Sequence, residues 1–120
     1  LILVDTNAWV DHFRRKDLRL VQFLVDQRVH TCDVVLGEIR LGSGIPRHVV
    51  ADLMALPRLP CPHPQETRAL VDRKQSSVAG SGIGWADAEV ILTAVRAGAR
   101  IHSSDRAVRR VCRALGIPLA

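Results

Sequence analysis

Tyrosine is absent from this sequence, and aromatic residues of every kind make up only 3% of its 120 residues. Trp9, Phe13, Phe23 and Trp85 are too few to build a nucleic-acid module that stacks bases on several aromatics, so RRM-like and OB-like platforms are disfavoured. Cysteine is scarce as well. Cys32, Cys61 and Cys112 form no C-x-x-C pair, have no histidine at zinc-finger spacing and are odd in number, so they are expected to be buried thiols in a reducing compartment. No apolar run approaches the ~18 residues of a membrane span, and Asp5 follows Leu1 to Val4 at once. Neither a membrane span nor a signal peptide is expected, and a soluble cytoplasmic protein is the default. Lysine is nearly missing: among 17 basic residues only Lys16 and Lys74 are lysines. The rest are arginines, which suit bidentate contact with phosphate.

Against 12 acidic residues the basic ones leave a net charge of +5 and a pI near 10.1, a balance that draws in polyanions. Apolar residues, by contrast, are plentiful at 48%, enough for a core and against intrinsic disorder. The length predicts one domain over residues 1–120.

Along the chain, Leu1 to Val4 is a continuous apolar run ending in Asp5-Thr6-Asn7, which predicts a buried strand running into a helix start. Helical spacing follows Asp17 from Leu18 to Val25, and Val29 to Cys32 reads as a second strand. A helix from Asp33 to Leu41 is broken by Gly42-Ser43-Gly44. Pro46 is expected in the first turn of a helix reaching Leu56, and the proline-rich Pro57 to Pro64 is expected to be extended, with at most a minimal strand. Gln65 to Lys74 is helical in pattern, and Gln75 to Gly84 reads as a loop. Trp85 to Ala97 reads as an apolar helix closed by Gly98. Ile101-His102 then forms a strand, and Ser103-Ser104-Asp105 caps a last helix whose arginines, Arg106, Arg109, Arg110 and Arg113, lie off its apolar stripe. Helices alternating with short apolar strands imply an α/β sandwich with a mostly parallel sheet.

In such sheets functional groups gather beyond the carboxyl ends of the strands. Asp5 and Asp105 both stand there, although either could simply cap a helix. Asp87 and Glu38 lie in helices so apolar that a solvent face is scarce, and Asp87 and Glu89 point to opposite sides of theirs. A cluster of such carboxylates repels itself and raises a pKa unless a divalent cation neutralises it, and oxygen ligands select Mg²⁺ or Mn²⁺ over zinc. Metal-assisted phosphodiester hydrolysis follows as the chemistry, with a basic surface suited to a nucleic-acid substrate.

The strand-D-T-N start, Gly37-Glu38, the segment Gly82-Ile83-Gly84-Trp85-Ala86-Asp87-Ala88 and the turn Ser103-Ser104-Asp105-Arg106 together resemble the PIN-domain ribonuclease toxins of VapC type, over essentially the whole chain. The resemblance implies a three-layer α/β/α sandwich whose central parallel sheet has about five short strands. It further implies an Mg²⁺- or Mn²⁺-dependent endoribonuclease, acting as a homodimer and silenced by a cognate antitoxin protein. The family's acidic quartet falls on Asp5, Glu38, Asp87 and Asp105, as catalytic and metal-binding residues. Thr6, Asn7 and Ser103 fall where polar side chains support the metal. Ser103-Ser104 replaces the commoner Thr-x, and Glu89 stands where relatives often carry histidine.

A dinucleotide loop at Gly80-x-Gly82-x-Gly84 is set aside because no strand feeds it, and the histidines are too scattered for a metal site. Trp9 and Phe13, one turn apart, read as core or dimer packing. The competing functional reading is a catalytically silent subunit of the same fold that binds RNA or a protein partner.

Overall fold

A computed structural model describes residues 1–42, 44–74, 78 and 80–120. Ile2–Val4 forms β1, Thr6–Arg14 α1, Leu18–Val25 α2 and Val29–His30 β2. Asp33–Leu41 forms α3, Arg47–Met54 α4, Pro64–Arg73 α5 and Trp85–Ala97 α6, before Arg100–His102 forms β3 and Arg106–Leu115 α7. The sheet runs β2-β1-β3, both pairs parallel, with Ile2 opposite Val29 and Arg100, and Val4 opposite His102. Successive strand residues point to opposite faces, and Ile2, Leu3 and Val4 are all fully buried. Both faces of β1 are therefore covered by helices, as a parallel sheet requires.

The expected five strands reduce to three among the described residues. The two outer positions are single parallel bridges, Thr31 with Arg58 and Ile101 with Leu119. Pro57 and Pro118 flank those bridges and supply only carbonyls, accepting from Thr31 N and Ile101 N at 2.9 and 3.0 Å. With no N–H of its own, a proline cannot extend a ladder.

Pro46 is the cap of α4 rather than part of its first turn, and Pro64 opens α5 one residue earlier than the sequence pattern predicts. Of the expected loop from Gln75 to Gly84, Gln75, Ser76, Ser77 and Ala79 lie outside the described residues, as does Ser43 of the Gly42-Ser43-Gly44 break. Cys32 and Cys112 are buried as expected, but Cys61 is exposed and points its thiol at Asp33. Trp9 is buried in the core with Phe13 stacked on it at 6.3 Å between centroids. No helix among the described residues is long and apolar enough to cross a membrane.

The chain passes from β1 to β2 on one side and then across to β3 on the other. Strand order thus reverses at β1, and the crevice beyond the carboxyl ends of β1 and β3 is where such sheets place their chemistry.

Candidate active site

Asp5 leaves β1 in extended backbone and caps α1, its Oδ1 accepting from Thr6 N at 2.8 Å. Its other oxygen, Oδ2, accepts from Ser103 Oγ at 2.8 Å, across the mouth of the β1–β3 pair. The residue is only 3% exposed. Burial, chiefly, pushes its carboxyl up from 3.8 to about 6, against the two hydrogen bonds, and the negative charges of Asp87 and Glu38 push the same way. The like-charge repulsion expected from the sequence is therefore present, but desolvation is the larger cause.

Thr6 and Asn7, next in the same turn, each hold a further acid. Thr6 Oγ1 donates to Glu38 Oε1 at 2.9 Å, and Asn7 Nδ2 donates to Asp105 Oδ2 at 3.2 Å. One tripeptide, Asp5-Thr6-Asn7, therefore ties together β1, α3 and the β3–α7 turn. Glu38 is exposed, which corrects the expectation that the apolar pattern of α3 turns it inward. Only one stripe of α3 is buried, through Val35, Leu36 and Ile39.

Asp105 caps α7, its Oδ1 accepting from Ala107 N at 2.8 Å and Val108 N at 3.2 Å. Ser103 Oγ also accepts from Asp105 N at 3.1 Å, so one hydroxyl fixes both Asp5 and the turn that carries Asp105. Asp87 sits in the first turn of α6, where its Oδ2 accepts from Gly84 N at 3.1 Å. Each of these three aspartates is thus a helix cap and a pocket carboxylate at once.

Further residues that the sequence did not single out hold this turn. Ser104 Oγ donates to Asp11 Oδ2 at 2.6 Å, and Arg109 Nη1 donates to Ser103 O at 3.2 Å, which separates Arg109 from its exposed neighbours Arg106, Arg110 and Arg113. His102, buried at the end of β3, meets Asp17 Oδ2 through Nε2 at 2.8 Å. None of these pairs has a spacing that a single sequence reveals.

The donor set is entirely oxygen, the chemistry of a hard divalent cation. Among the described residues, no three such side chains are already gathered closely enough to hold an ion. The residues nonetheless fit one. A cation beside Asp5 offsets the burial that keeps its proton on, and the exposed Glu38 is free to approach.

The PIN domain family profile matches residues 2–114. The chain belongs to the PIN-domain family. This PIN domain is of the VapC type: it is 37% identical over 122 aligned positions to Ribonuclease VapC32 of Mycobacterium tuberculosis, in both strain CDC 1551 / Oshkosh and strain H37Rv. The alignment covers 100% of this chain and 97% of each relative. Its fold is also similar to the crystal structure of PAE2754 from Pyrobaculum aerophilum, with a TM-score of 0.60 at 16% identity over 89% of this chain and 81% of that one.

Proposed function

We propose that this PIN domain, spanning residues 1–120, is a metal-dependent endoribonuclease, the toxin of a toxin–antitoxin pair, hydrolysing RNA phosphodiester bonds with Mg²⁺ or Mn²⁺. The observation that carries the reading is the tripeptide Asp5-Thr6-Asn7, which holds a buried carboxylate of its own and hydrogen-bonds two more, Glu38 and Asp105. The similarity to Ribonuclease VapC32 supports RNA as the substrate.

Asp5, Asp87 and Asp105 would hold the metal, with Glu38 completing the set. When bound, the ion neutralises charge on the attacked phosphate and makes water a stronger nucleophile. Ser103 and Thr6 N keep Asp5 fixed in the crevice. Glu38, steadied by Thr6 and open to solvent, orients the attacking water and takes its proton. The water oxygen bonds to phosphorus as the bond to the 3′-oxygen breaks, and the leaving oxygen takes up a proton. The products are a 3′-hydroxyl and a 5′-phosphate. A cognate antitoxin, docking an apolar helix near the crevice, and a second copy of the chain are its proposed protein partners.

The test is calorimetric titration of Mn²⁺ into wild type and Asp5→Asn, followed by incubation of both with labelled structured RNA. Wild type is expected to bind the ion and cut, EDTA to stop cutting, and Asp5→Asn to fold yet do neither. Cutting that survives EDTA overturns the metal role. Absence of ion binding by wild type would leave the acids as helix caps and the molecule as a silent binding subunit.

A further inference from the structure

Trp85 opens α6 with its indole 45% exposed, an unusual position for the largest side chain in a sequence so poor in aromatics. It is not a loose surface residue. Its Nε1 donates to Glu89 Oε1 one helical turn on, which fixes the plane of the ring. Glu89 is thereby spent on holding the indole. Beside the ring lies a recess of about 360 Å³ whose walls include Val71, Ile83, Gly84 and Ala88. Gly84 and Ala88 bracket Asp87, and Gly84 N is the donor that Asp87 holds, so the recess and the acidic crevice share the first turn of α6. A Cβ added at Gly84 meets nothing within 4 Å, so the wall falls away there and leaves room for a nucleotide backbone to approach.

We propose that this recess is the subsite for one unpaired nucleobase of the RNA, stacked on the indole of Trp85, next to the phosphate that the acids attack. The proposal rests on the endoribonuclease reading and adds where the strand is gripped. A single fixed aromatic cannot form a multi-base platform, but it can hold one splayed base, as proteins that read single-stranded RNA do. Apolar walls accept the faces of the base, and the net charge of +5 draws in the phosphates on either side. The grip therefore selects single-stranded or looped RNA, because a base held in a duplex cannot enter.

Two measurements test it. In cleavage kinetics, Trp85→Ala is expected to raise KM about tenfold, the loss typical of one base–aromatic stack, with kcat within about twofold and Trp85→Phe restoring most of the KM. Removing the base beside the scissile phosphate should raise the wild-type KM similarly and add nothing to Trp85→Ala. In the Asp5→Asn background, which does not cut, a single-stranded oligoribonucleotide should quench indole emission; Trp9 is buried, so the quench should vanish in Trp85→Phe. If wild type cuts RNA while Trp85→Ala keeps its KM and no quench is seen, the base subsite is overturned and the nuclease reading stands, the recess then fitting an apolar side chain of a protein partner instead. If wild type cuts no RNA, both readings fall together.

Discussion

Asp5 carries an energetic load that its neighbours do not remove. Its carboxyl titrates near 6 in the folded chain against 3.8 when exposed, so between those values the folded state binds more protons than the unfolded one. Stability therefore falls as pH rises through that window, by about 3 kcal/mol once the window is passed. Asp5→Asn, which keeps an acceptor for Thr6 N, is expected to melt several degrees above wild type at pH 8, with the gap closing toward pH 4. Scanning calorimetry at pH 4, 6 and 8 checks it; a gap that does not change with pH would locate the effect elsewhere than in the buried charge.

Thr6 makes a different kind of contribution, since its bond to Glu38 is exposed and worth no more than about 1 kcal/mol to folding. Thr6→Val should leave melting within a few degrees, lower kcat on RNA about tenfold and be rescued by Thr6→Ser. Unchanged kcat in Thr6→Val would mean that Glu38 needs no steadying. The four acids were legible in the sequence because each follows a strand end or interrupts an apolar helix. Their ties were not: Thr6 meets Glu38 across 32 positions and Asn7 meets Asp105 across 98, separations on which local pattern is silent.

Among the elements, those with their own punctuation were legible. Leu18–Val25 after Asp17, Asp33–Leu41 before Gly42 and Trp85–Ala97 before Gly98 match the sequence pattern to the residue. Gly98 and Gly116 end α6 and α7 in left-handed backbone, φ 66° and 70°, where a side chain is strained even though a Cβ would touch nothing within 4 Å. Gly98→Ala is accordingly expected to lower stability by about 1 kcal/mol in urea titration. A neutral result would show that the left-handed cap adds nothing at that helix end. The outer sheet positions were illegible for the opposite reason. A pairing of one residue, set by a proline carbonyl, has no periodicity to read.

For the whole molecule, the excess of positive charge should appear as salt dependence. RNA affinity is expected to fall with log[salt] at a slope of about −2 or steeper, as three or more phosphate contacts on a single strand give, and Arg106→Gln, beside Asp105, should reduce the slope by about 0.7. Filter binding between 50 and 200 mM salt, about the range where such slopes are measured, tests it. A flat response would place the arginine excess outside the RNA path.

The contact between Asp5 and Ser103 also sets a clock. They lie 98 positions apart, and at about 5–20 residues per second a ribosome takes about 5–20 s to make the second after the first. Throughout that interval the β1 carboxylate has been synthesised but lacks β3, the Ser103 hydroxyl and the Asp105 turn. A translation product abandoned anywhere before Ser103 is inert, and the ribosome making the chain is not exposed to an assembled crevice until synthesis is almost finished.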